Sequence, residues 1–175
     1  MSWGFASISV GSGTDIFMTI TVTIIVVALL VGFDQLTKYL VLTYVKPVDA
    51  VPVIDKIIQF RYTENTGAAF SIFSDKTWLL SIFTGVMIVA GLLYLFFGKA
   101  DNKLQYAAII LIISGGIGNL IDRLARGFVI DFIEYLFMEY AVFNVADILV
   151  TIGAVLLVAS VLFVKGEKDE LHHNS

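Results

Sequence analysis

Cysteine is absent from the 175 residues, which excludes disulfides, thiolate metal sites and a thiol nucleophile. Histidine is confined to His172 and His173 near the C-terminus. The body of the chain therefore has no imidazole for a Ser-His-Asp triad or for an HExxH zinc helix. Charge is scarce as well: Asp, Glu, Lys and Arg make up 15% of the sequence, with a formal net charge of −4. That balance offers no basic surface to a phosphate backbone, so nucleic acid is not an expected partner. Hydrolytic chemistry, if present, must rest on carboxylates, on lysine, or on serine with lysine, and nothing in the sequence asks for a metal or a cofactor.

Apolar residues fill the space that charge leaves. They make up 58% of the chain, and the mean hydropathy is +0.91, far outside the range of soluble domains. Uncharged apolar runs cover 16–33, 78–97, 104–121 and 148–164. Each is long enough to cross a hydrocarbon core of about 30 Å as a helix. The expected fold is an all-α membrane protein of four transmembrane helices, over about 16–43, 77–97, 104–122 and 144–164. The first span outlasts its uncharged run because 34–45 stays helix-compatible, with Asp34 and Lys38 at i and i+4. Residues 1–15, rich in Ser and Gly, lack the basic start of a signal peptide and are expected to be a disordered lead-in. Residues 166–175 form a polar tail.

Two connecting segments have a different texture. Between the first two spans, 46–76 mixes β-branched and aromatic residues with charges and shows no helical period, which predicts a small β-sheet outside the bilayer. Between the last two, 122–143 sets Asp131, Glu134 and Glu139 among Phe, Ile, Leu and Tyr. It is expected to lie along the membrane interface. The third span carries Ser114-Gly-Gly-Ile-Gly118, a run of small residues that lets another helix approach closely.

An acidic side chain at the centre of a membrane helix costs about 2.5–3.5 kcal/mol on insertion scales, so each one calls for a reason. Here they cluster. Asn119 and Asp122 end the third span at i and i+3, and Asn144 and Asp147 repeat that spacing at the start of the fourth. Asp34 and Lys38 end the first span at the same membrane face. Each has a plain reading: Asp34 with Lys38 as a helix-end ion pair, Asp122 with Arg123 or Arg126 as a salt bridge, Asn144 as a helix cap. None of these explains why acids and amides gather at one face, which raises the prior for a functional site.

Four stretches, in order, resemble the signature boxes of lipoprotein signal peptidase, or signal peptidase II: Phe33-Asp-Gln-Leu-Thr-Lys38; Asn65-Thr-Gly-Ala-Ala-Phe70; Gly118-Asn-Leu-Ile-Asp-Arg123 continuing through Gly127-Phe-Val-Ile-Asp-Phe132; and Phe143-Asn-Val-Ala-Asp147. The resemblance implies an aspartic endopeptidase of the bacterial plasma membrane. Such an enzyme removes the signal peptide from prolipoproteins immediately before a diacylglyceryl-modified cysteine. Box by box, the catalytic pair falls on Asp131 and Asp147. Asn65, Gly67, Asn119, Asp122, Arg123 and Asn144 match positions that shape the site or contact substrate or the inhibitor globomycin, and Asp34 with Lys38 match a supporting pair. The resemblance further implies membrane lipid around the enzyme, both termini cytoplasmic and a site near the extracytoplasmic surface; nothing in the sequence resembles an interface code, so a monomer is the default. Charge does not decide that orientation: six Lys and Arg flank the spans on the side away from the termini, against four beside them.

Two other classes compete. A proton-coupled transporter places its acids at mid-span beside broken helices, whereas here they sit at span ends. A non-catalytic assembly subunit uses its charges only to pair helices, so loss of an aspartate lowers stability rather than turnover.

Overall fold

The computed structural model describes residues 13–67, 76–97, 103–137 and 142–173. Helix α1 (Gly13–Leu40) is followed by a widened turn over Val41–Val45 and a short 3-10 turn over Lys46–Val48. A hairpin of β1 (Ala50–Ile54) and β2 (Ile58–Asn65) comes next, then α2 (Thr77–Phe97), α3 (Lys103–Arg126), β3 (Val129–Tyr135) and α4 (Val145–His173). The expected lead-in lies outside the described residues up to position 12, and α1 begins at Gly13. Beyond the expected fourth span, α4 continues helical through the polar tail to His173.

All four helices are long and apolar enough to cross a membrane. The faces they turn outward are correspondingly apolar: Phe17, Ile25, Leu29, Phe83, Val86 and Val155 are each more than half exposed. In water such a surface would drive aggregation; in lipid it is the solvated side. Helix α3 is the hub, packing against α1, α2 and α4. Its small-residue run explains how. A Cβ on Gly115 would meet the backbone carbonyl oxygen of Ala146, and one on Gly118 would stand 2.5 Å from Asp34 Oδ2. From the other side, a Cβ on Gly153 would stand 2.7 Å from the Ala108 carbonyl oxygen. Without side chains at these points, α3 and α4 touch backbone to backbone. Hydrogen-bonded Thr23 and Tyr106 hydroxyls tie α1 to α3 farther down the bundle.

The sheet has three antiparallel strands in the order β1-β2-β3. Its third strand departs from the sequence expectation, which laid this segment along the membrane interface. Val129, Ile130 and Phe132 are buried, and Ile130 and Phe132 pack with Val41, Val45, Phe60 and Tyr62, so pairing with β2 satisfies backbone groups that the interface would leave half dry. Helix α3 stops at Gly127, whose φ of +82° and N–H bond to the Arg123 carbonyl, 3.1 Å, form a C-terminal cap that turns the chain into β3. After β3 the chain comes back, and Phe143 exchanges backbone bonds of 2.8 and 3.1 Å with Ile133. That return places Asn144 and the start of α4 beside Asp131.

Gly115→Ala should lower stability by about 1–3 kcal/mol, since a backbone carbonyl cannot step aside as a side chain can. Gly32→Ala, where nothing lies within 4 Å of the added Cβ, should be neutral or mildly stabilising. Thermal unfolding of both variants in micelles checks the contrast.

Candidate active site

The site is built around a buried ammonium group. Lys38 Nζ lies 2.9 Å from Asp34 Oδ2 and 2.9 Å from Asp122 Oδ2, with all three side chains fully shielded. Its third proton goes to Asn119 Oδ1 at 3.0 Å. An ammonium has three donors, and here each has an acceptor. Asp122 is balanced from its other oxygen by Arg126 at 2.8 Å. Of the two arginines read from the sequence as partners for Asp122, the structure therefore selects Arg126. Gln35, quoted within the first signature box but given no role there, donates to the Gly118 carbonyl at 3.1 Å and to Asp34 Oδ2 at 3.2 Å.

These charges reach the two segments that carry Asp131 and Asp147. Asp34 Oδ1 accepts from the Ala146 amide at 2.9 Å, one of the orphan N–H groups in the first turn of α4. Asp122 Oδ2 accepts from the Ile130 amide at 3.2 Å, fixing β3 one residue before Asp131. The rest of the α4 start is a reciprocal cap. Asn144 Oδ1 accepts from the Asp147 amide at 3.0 Å, and Asp147 Oδ2 accepts from the Asn144 amide at 3.1 Å. The reading of Asn144 as a helix cap thus agrees with the structure, and the cap is one part of a larger role.

Two side-chain amides bridge the carboxylates. Asn119 Oδ1 takes donors from Lys38 and, at 3.1 Å, from Asn144 Nδ2, so its own Nδ2 is turned to Asp147 Oδ1 at 2.8 Å. Asn144 Nδ2 also donates to Asp131 Oδ1 at 2.6 Å. On the far side Asn65 Nδ2 donates to Asp131 Oδ2 at 2.8 Å, while its Oδ1 accepts from the Gly67 amide at 2.9 Å. Asp131 and Asp147 are therefore the two ends of a chain that runs through Asn144 and Asn119. Burial pushes the Asp131 carboxyl from 3.8 up to about 7, and the charge of Asp147 adds to the rise. Hydrogen bonds from Asn65 and Asn144 and the charge of Lys38 pull the other way.

Asn65, Asn119, Arg123, Asp131 and Asp147 line a cavity of about 660 Å³. Its walls are Met87 and Ile88 of α2 and Ile148 and Ile152 of α4, with Ile113 and Gly116 of α3 between them. The polar end holds the aspartates, and the apolar remainder runs among the membrane helices. Arg123 Nη2 lies 3.4 Å from the Gly67 carbonyl and its Nε has no partner, leaving the guanidinium free to turn toward an occupant. All ten residues singled out in the sequence thus belong to one connected region: Asp34, Lys38 and Asp122 at its base, Asn119 and Asn144 in the middle, Asn65, Arg123, Asp131 and Asp147 at the cavity, and Gly67 bonded to Asn65 and Arg123. The last three residues of the second box, 68–70, and Glu139 lie outside the described residues. Among the described residues no three His, Cys, Asp or Glu side chains converge as metal ligands.

A profile described as signal peptidase (SPase) II matches residues 24–163. The chain belongs to the signal peptidase II family. It is 43% identical over 130 residues to the lipoprotein signal peptidase of Streptococcus pyogenes serotype M2 (strain MGAS10270), covering 74% of this chain and 86% of that one. The lipoprotein signal peptidase of S. pyogenes serotype M5 (strain Manfredo) is 42% identical over the same length. A solved bacterial membrane enzyme, determined by the in meso method at 2.3 Å, superposes with a TM-score of 0.78 at 34% identity, over 85% of this chain and 92% of that one. A second such structure, at 1.9 Å, gives 0.72 at 34% identity, over 82% of this chain and 94% of that one. The protein is accordingly a multi-pass membrane peptidase that acts as a lipoprotein signal peptidase, and the network described above is this family member's own geometry.

Lys38→Met should cost about 3–5 kcal/mol of stability, because it strands the fully buried Asp34 carboxylate and leaves Asp122 with Arg126 alone. A paired Lys38→Met/Asp34→Asn variant, which removes the stranded charge, should recover part of the loss. Chemical unfolding in micelles, fitted as a double-mutant cycle, checks the coupling.

Proposed function

We propose that Asp131 and Asp147 are the catalytic pair of an aspartic endopeptidase that cuts prolipoproteins just before a diacylglyceryl-modified cysteine. The observation that carries this reading is the pair of carboxyls held by the Asn144–Asn119 bridge at the polar end of an apolar cavity. Peptide and lipid can share such a space, the bond to be cut lying among polar groups and the acyl chains among the helices.

Two neighbouring carboxyls cannot both ionise cheaply, so near neutral pH the pair holds one proton. Asp131, with its pKa near 7, is suited to share it. The ionised member takes a proton from a water molecule as the water oxygen attacks the scissile carbonyl, and the protonated member donates to the carbonyl oxygen. As the tetrahedral intermediate collapses, the member that took the proton from water gives it to the leaving nitrogen, and the other takes back the proton it gave to the carbonyl oxygen, so the pair ends with one proton as it began. The apparent pKa values belong to the pair, so the proton is not assigned to one residue for the whole cycle. No covalent intermediate is needed.

The remaining residues divide by position. Asn119 and Asn144 keep the carboxyls at a fixed spacing and orientation. Asp34, Lys38 and Asp122 hold the segments that carry them. Asn65 and Arg123 border the cavity where the substrate backbone lies, Gly67 is bonded to both, and globomycin is the inhibitor expected to compete there. Four spans put both termini on one side; in this reading that side is the cytoplasm, and the sheet and site face outward. The enzyme works as a monomer surrounded by membrane lipid.

The test is cleavage by the reconstituted protein of a prolipoprotein offered with and without its diacylglyceryl group. Wild type should release the signal peptide from the modified form alone. Asp131→Asn and Asp147→Asn should each reduce the rate at least about a thousandfold, by loss of a proton donor or acceptor in the transition state, while unfolding as cooperatively as wild type. Substantial turnover by either folded variant would refute the pair.

A further inference from the structure

Among the described residues, two buried side-chain polar atoms have no hydrogen-bond partner: Arg123 Nε and Thr63 Oγ1. The first belongs to the guanidinium already placed at the cavity. The second has no part in the site as described, and its position is specific. Thr63 lies on β2 directly opposite Asp131 on β3. Asn65, two residues farther along β2 and so on the same face, already donates to Asp131 Oδ2 at 2.8 Å.

The register here is not the one the hairpin end would give. There Phe60 pairs with Ile133, so an unbroken ladder would set Tyr62 against Asp131; one extra residue in β2 sets Thr63 there instead. Directly opposed residues in an antiparallel pair have Cβ atoms about 4.5–5.5 Å apart. Rotation about a single bond can then bring the Thr63 hydroxyl to the Asp131 carboxyl. The acceptor has room. Each Asp131 oxygen takes one donor, Oδ1 from Asn144 and Oδ2 from Asn65, and a carboxylate oxygen has two lone pairs.

A plain strand role does not account for this residue. Threonine favours strands because it is β-branched, and valine has the same shape with no hydroxyl to bury. A buried, unpaired hydroxyl carries a desolvation cost that valine avoids.

We propose that Thr63 is a positioning residue for Asp131: its hydroxyl donates to the Asp131 carboxylate when that group is ionised and turns away when it is protonated. The proposal rests on the reading of Asp131 as one of the catalytic pair. The charged groups that act on Asp131 are Asp147 on α4 and Lys38 on α1, with Arg123 of α3 facing both aspartates and Asp122 of α3 holding the amide of the preceding residue. Thr63 adds a neutral donor from β2 that responds to the charge state. Because burial holds the Asp131 carboxyl at about 7, the response falls near neutral pH. The sign follows: a donor to the ionised form lowers the pKa, so removing it raises the pKa; because Asp131 loses its proton beside an ionised Asp147, the basic limb of the rate profile moves to higher pH.

The test measures kcat/KM against pH for wild type, Thr63→Val and Thr63→Ser on diacylglyceryl-modified prolipoprotein, with thermal unfolding followed in parallel. Thr63→Val should shift the basic limb upward by about half to one pH unit, and Thr63→Ser, which keeps the hydroxyl, should follow wild type. Thr63→Ala carries the same expectation as Thr63→Val and replaces it if that variant does not fold. A profile for the folded hydroxyl-free variant that superposes on wild type overturns the proposal, as does a shift in Thr63→Ser equal to that in Thr63→Val. An Asp131→Asn enzyme that still cleaves would instead overturn the catalytic reading; an inactive Asp131→Asn beside an unshifted Thr63→Val removes only the role of Thr63.

Discussion

One buried lysine sets the geometry on which the rest of this protein depends. Lys38 brings a positive charge to the end of a membrane helix and surrounds it with Asp34, Asp122 and the Asn119 carbonyl oxygen. None of these groups can be left unpaired there without a cost of several kcal/mol. The constraint therefore has few solutions. Asn119 must present its oxygen to the lysine, and its NH₂ is left for Asp147. Asp34 and Asp122 also accept from the Ala146 and Ile130 amides. Helix α1 thereby fixes the start of α4 and the start of β3, although neither is near it in sequence.

The same constraint explains why the carboxyls are reached through amides. Asparagine offers a donor and an acceptor in a fixed plane, so two in series pass orientation from the ionic base to the reacting groups without adding charge. Asp131 is buried and Asp147 partly so, yet every carboxylate oxygen in the pair accepts at least one hydrogen bond. The bundle supplies the other half of the arrangement. Backbone contact between α3 and α4 at Gly115 and Gly153 keeps those helices together, and the cavity lies among α2, α3 and α4 with its polar end at the sheet. A lipid-modified peptide requires that combination of apolar length and polar end.

Much of this was legible in the sequence. Four apolar runs gave four spans, because a bilayer demands length and uniform hydrophobicity, and both can be counted. The clustering of Asp34, Asn119, Asp122, Asn144 and Asp147 at one membrane face pointed to the site before any packing was known. Pairings that cross the chain were harder to read. Val129-Ile-Asp-Phe-Ile-Glu-Tyr135 alternates as a strand does, but its partner lies some seventy residues earlier, so an amphipathic interfacial segment fitted equally well. Asp122 has Arg123 beside it and Arg126 one turn on, yet its fully buried ion pair is with Lys38 of another helix. Thr63 gave no signal, since a threonine in a strand is unremarkable until the residue opposite is known. Charge counting failed to orient the protein for a related reason: Arg126 is held by Asp122, and Arg123 faces the aspartates, so neither marks a side of the membrane.

The central claim is that Asp131 and Asp147 act as one coupled pair held in place by a buried ionic base. The most direct measurement is a carboxyl carbon-13 NMR titration of labelled Asp131 in micelles, in wild type and in Asp147→Asn. The account predicts that Asp131 titrates near 7 in wild type. Removing the neighbouring charge should lower that value while burial keeps it above 3.8. A titration at the ordinary carboxylate value in wild type, or one indifferent to Asp147→Asn, would contradict it.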